Sequence, residues 1–83
     1  MSVERRRAAI VLGIIQDLAA SGRTRVRPGD VIALLRERGM PMGAWEVRAE
    51  LSGLEAAGMI VLDVASAEWM LTEGGAAAKH TDP

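Results

Sequence analysis

The sequence predicts a mainly α domain carrying a small β-hairpin, arranged as a winged helix-turn-helix. Three observations lead there. From Ala44 onward, Val47, Leu51 and Leu54 recur at three- and four-residue spacing, which gives a helix one apolar stripe. Gly58 follows, where a left-handed helix cap costs glycine least. Residues 59–64 and 68–71 are then apolar enough for two strands, with Ala65-Ser66-Ala67 the only break between them. The expected order is helix, edge strand, helix, helix, two hairpin strands and a short last helix, in one domain spanning residues 1–83.

Composition bounds what such a domain can do. At 83 residues the chain sits near the size where a single core just suffices. Phe and Tyr are absent, Trp45 and Trp69 are the only aromatics, and the core must be built from aliphatic residues and Met. Without Cys there is neither a disulfide framework nor a thiolate metal site, and one His leaves no plausible metal ligand set. No cofactor is expected. The apolar run after Arg5-Arg6-Arg7 is broken by Gln16 and Asp17, so it reads neither as an export signal nor as a membrane span of ~20 apolar residues. A cytoplasmic protein is the expectation.

Taken in order, residues 3–21 form the first helix. Ile10, Val11, Leu12, Ile14, Ile15 and Leu18 cover an arc wider than the usual ~100° stripe, which implies burial on two sides. One side packs inside the domain and the other meets a second subunit, so Val11, Leu12 and Ile15 are candidate contacts of a homodimer. Gly22 ends the helix. Residues 23–27 alternate Arg with Thr24 and Val26, as an edge strand beside the hairpin would. Pro28 opens the second helix, Asp30 suits its positive end, and Gly39 stops it. Met40-Pro41-Met42-Gly43 makes the turn into the third helix. After the hairpin, Thr72 caps a last helix reaching residues 76–79, weakened by Gly74 and Gly75; residues 81–83 read as a frayed tail.

Glu4-Arg5-Arg6 at the head, Val47-Arg48, Leu51, Leu54-Glu55 and Gly58 around the third helix, and Leu71-Thr72-Glu73 with Gly75 after the hairpin carry a resemblance. The chain resembles winged helices of the ArsR/MarR style, and most closely the small ArsR-like proteins encoded among the morphogenesis genes of Mu-like phages. The resemblance implies a dimeric, nucleic-acid-associated winged helix without a defined target. One departure stands out: Gly43 occupies the position where relatives place a Ser or Thr cap.

The charge is divided unevenly. Residues 1–48 hold nine Arg against five acids, and residues 49–83 hold one Lys against six acids. Arg23, Arg25 and Arg27 alternate along one segment, Arg36 and Arg38 close the second helix, and Arg48 lies in the third. These six are the candidate DNA contacts, because duplex affinity rests on phosphate neutralisation. Against them stands the outward face of the third helix, namely Trp45, Ala49, Ser52, Gly53 and Ala56. It offers base edges no amide, and Asp63 and Glu68 flank a hairpin tip without a cation. Those five residues are candidate contacts for a protein instead, with Trp45 as anchor.

DNA binding and transcriptional regulation is the leading expectation. The alternative is a protein-interaction module that does not bind DNA, such as a phage factor acting on a phage or host protein, including a defence component. With no nucleophile–His–acid set and no phosphate loop, an enzyme is not expected.

Overall fold

The computed structural model describes residues 3–78, with side chains from residue 6 onward. Four helices and one antiparallel hairpin make up the described residues: α1 (Val3–Ala20), α2 (Pro28–Glu37), α3 (Ala44–Ala56), β1 (Ile60–Asp63), β2 (Glu68–Leu71) and α4 (Glu73–Ala77). The last helix stops at Ala77, with Ala78 extended, short of the expected reach to residue 79; residue 79 and the expected tail lie outside the described residues.

The glycines stop the helices as their backbone freedom suggests. Gly22, Gly39 and Gly58 all take positive φ (104°, 73° and 80°), a region closed to most side chains. At the helix starts, carboxylates reach back to the cap. Asp30 Oδ2 accepts the N–H of Arg27 at 2.9 Å, and Glu46 Oε1 accepts that of Gly43 at 2.8 Å. Glu46 thus offsets the missing Ser or Thr at Gly43 with the half of a capping box that needs no cap side chain. Thr72 caps α4 as expected, its Oγ1 accepting the Gly75 N–H at 3.0 Å and donating to the Gly58 carbonyl at 2.6 Å.

α1 is the central element, in contact with α2, α3, α4 and β2. Five consecutive residues, 11–15, are buried, so this stretch is enclosed on every side. That overturns the assignment of Val11, Leu12 and Ile15 as dimer contacts. Val11, Leu12 and Ile15 are 0%, 6% and 2% exposed within a single chain, packed with Val31, Leu35, Val47, Leu51, Leu54 and Ile60. The wide apolar arc implied burial on two sides, and the domain's own α2, α3, α4 and hairpin account for both. Each such side chain contributes about 1.5–3 kcal/mol by burial, which leaves none of them free to serve a second subunit.

The expected edge strand is also corrected. Residues 23–27 form no strand; only Val26 pairs, in a single antiparallel bridge to Trp69 with N–H···O bonds of 2.9 and 2.7 Å in both directions. Pro28 follows one residue after Arg27, opens α2 and has no N–H to extend a ladder. The hairpin itself keeps the register Ile60↔Leu71, Val61↔Met70, Leu62↔Trp69 and Asp63↔Glu68. Buried Ile60, with Trp69 and Leu71 packed on the core, defines its inner face, and Val61 lies on the other.

Two contacts tie α4 and the residue that follows it to α1. Gln16 Nε2 donates to the carbonyls of Gly75 at 2.7 Å and Ala78 at 2.8 Å. Gly75 is buried so closely against Met59 that a Cβ there would overlap the Met59 carbonyl group. The two adjacent glycines, read together as weakening α4, therefore differ: Gly75 is required by packing, whereas Gly74 meets only ordinary contacts.

Candidate macromolecule-binding surface

α3 presents the residues expected of it. Val47, Leu51 and Leu54 face the core, and Trp45, Arg48, Ala49, Ser52, Gly53, Glu55 and Ala56 are exposed. Trp45 is 74% exposed, so it does not fold back as a plug for the aromatic-poor core; Trp69 does that work from β2. Beside the turn into α3, Met40 is also exposed, at 39%. Large apolar exposure continues on the hairpin with Val61 and, at its tip, Val64 at 83%.

The arginines are arranged differently from what their spacing implied. Arg23 turns to the first turn of α2, where its Nη1 meets Asp30 at 2.9 Å. Arg25 and Arg27 share one side, as alternation requires, and both point at the hairpin. Arg25 Nη1 donates to Asp63 Oδ2 at 2.8 Å and lies 3.5 Å from both Glu68 Oε1 and Ser66 Oγ. Arg27 Nε lies 3.7 Å from Glu68 Oε2. The hydrogen bond to Asp63 raises the Arg25 pKa, and the same bond holds the Asp63 carboxyl below its ordinary value. Arg38 reaches Asp17 on α1 at 2.6 Å, and Arg7 meets Glu46 at 3.4 Å.

Of the six candidate DNA contacts, then, four are engaged by the chain's own carboxylates. Arg36 and Arg48 are exposed and make no ion pair among the described residues. In the sequence the basic and acidic halves are separate features; the fold joins them, Arg25 to Asp63 and Arg27 to Glu68. Alternation did supply one clue, since Arg25 and Arg27 flank the inward Val26. Among the described residues no three of His, Cys, Asp or Glu cluster as metal ligands, and no helix is long and apolar enough to cross a membrane.

No protein-family model matches the chain, and no curated protein or solved structure gives a significant match.

Proposed function

We propose that this chain is a winged helix-turn-helix module that recognises a protein through the outward face of α3, with Trp45 as its anchor. In this reading α2, the turn at residues 38–43 and α3 form the helix-turn-helix. The hairpin is the wing, and the Val26 bridge is what remains of its third strand. The observation that carries the reading is the exposure of Trp45 on a helix face otherwise made of small residues. A tryptophan left in water forgoes burial in the free domain and recovers it over a large area when a partner covers it. Around it, Ala49, Ser52, Gly53 and Ala56 allow a partner backbone to come close.

Electrostatics favour the same reading. A duplex is gripped by cations that replace its counterions. Here Arg7, Arg23, Arg25, Arg27 and Arg38 already face carboxylates of the same chain, and on α3 the exposed charges are Arg48 and Glu55. The phage resemblance makes phage and host proteins the first partners to screen. A second reading, a DNA-binding transcriptional regulator, is favoured by the exposed, unpaired Arg36 and Arg48.

Titration of the purified protein against random-sequence duplex DNA across a salt series separates the two. The protein-directed reading expects no saturable binding near physiological salt, together with a captured partner that Trp45→Ala releases and Arg48→Ala retains. Micromolar duplex binding that falls steeply with salt, and that weakens with Arg48→Ala rather than Trp45→Ala, refutes it.

A further inference from the structure

The outer side of the hairpin holds a charge arrangement that neither half of the sequence implies. Arg25 and Arg27 flank Val26, which bridges to Trp69, so they lie on the same side about 6.6 Å apart, within reach of successive phosphates of one nucleic-acid strand. In the folded chain that position is already taken. Asp63 ends β1, Glu68 begins β2, and the two are paired across the hairpin, so both carboxylates meet the two guanidinium groups at one place. Two cations and two anions leave the cluster without net charge.

We propose that Asp63 and Glu68 are specificity-determining residues that occupy Arg25 and Arg27 and thereby keep duplex DNA off this face of the domain. Exposed ion pairs are individually weak, so the pairing alone does not lock the arginines away. What the carboxylates remove is the field. A phosphate approaching Arg25 meets Asp63 and Glu68 within 3.5 Å of the same nitrogen, so its attraction is cancelled where it would act. No spare cation lies at the hairpin tip, Ala65-Ser66-Ala67, to restore it. Arg23, the third arginine of the segment, is held elsewhere by Asp30. This inference goes beyond the protein-directed reading and is tested by a comparison that the reading itself does not use.

The test is the double variant Asp63→Asn/Glu68→Gln, titrated with a 20-base-pair random-sequence duplex between 50 and 200 mM salt beside the native protein. Asn retains the oxygen that accepts the Ala65 N–H at 3.1 Å, so the tip keeps its turn. Releasing two cations should steepen the slope of log K against log salt by about 1.8 and tighten binding at 50 mM at least about tenfold. Adding Arg25→Ala and Arg27→Ala to the variant should abolish the gain. The single variant Glu68→Gln, which disturbs the hairpin least, should give about half the change in slope. Folded variants that bind no more tightly than the native protein overturn the proposal, as does a gain that survives loss of both arginines. Native binding to DNA bears on the protein-directed reading; only the difference between variant and native protein bears on this one.

Discussion

The adjacent glycines of α4 give a prediction in which one substitution, made at neighbouring positions, changes sign. At Gly75 an added Cβ would overlap the Met59 carbonyl oxygen, lie 2.8 Å from the Met59 carbonyl carbon and 3.2 Å from Leu71 Cδ2. The first two atoms are backbone and cannot rotate away, so α4 must move. Moving it strains the Gln16 bond to the Gly75 carbonyl and the Thr72 cap on the Gly75 N–H. Overpacking costs about 1–3 kcal/mol, and a lost cap or hydrogen bond adds about 1 kcal/mol each, against a helix-propensity gain of at most about 1 kcal/mol. Gly75→Ala should therefore destabilise by roughly 2–4 kcal/mol, which for a domain of this size lowers Tm by roughly 10–30 °C. At Gly74 the nearest atoms to a Cβ are Thr72 Oγ1 at 3.7 Å and the Gly58 carbonyl oxygen at 3.8 Å, both ordinary contacts. Gly74→Ala should stabilise by about 0.4–1 kcal/mol, chiefly by restricting the unfolded chain. Thermal unfolding followed by circular dichroism at 222 nm reads both. A Gly75→Ala protein as stable as the native one, or a Gly74→Ala protein less stable than Gly75→Ala, would refute the packing assigned to α4.

Two further outcomes follow from the core and the ion pairs. Ile15→Ala should cost about 2–5 kcal/mol of folding free energy while leaving the mass in solution unchanged. Sedimentation showing instead a stable native dimer that Ile15→Ala dissociates into folded monomers would restore the interface withdrawn above. Asp63 is held below its ordinary pKa by Arg25, so the stabilisation it contributes is complete above the unfolded-state value of about 3.9 and is lost as pH falls through the lower folded value. Arg25→Ala should remove that part of the acid sensitivity; urea midpoints from pH 7 down to pH 2 measure it, and an unchanged pH profile contradicts the assignment.

What could be read in the sequence was what short spacing encodes. Val47, Leu51 and Leu54 set the buried side of α3, Thr72 its role as cap, and Gly22, Gly39 and Gly58 the helix ends, because each depends on neighbours within a turn or two. What stayed hidden depends on partners far along the chain. In the sequence Gln16 only breaks the apolar run of α1, yet it bonds residues 59 and 62 positions away. The breadth of the α1 arc was visible, but whether it is covered by a second subunit or by the chain's own elements depends on how α2, α3 and α4 fold around it. At the candidate surface, the periodicity of α3 correctly exposed Trp45, Ala49, Ser52, Gly53 and Ala56. The pairing of the candidate arginines was hidden because Arg25 and Asp63, 38 residues apart, meet only when the hairpin folds over residues 23–27.

The Gln16 tether also bears on the order in which the domain assembles. Its two acceptors, on Gly75 and Ala78, belong to the last residues described, whereas the donor sits in the first helix. During synthesis α1 emerges long before them, and Trp69, the partner that completes the Val26 bridge, also arrives late. The enclosure of an apolar α1 is therefore complete only once residues 69–78 have joined it. Long-range closure of this kind favours cooperative folding of residues 16–78 over helix-by-helix assembly.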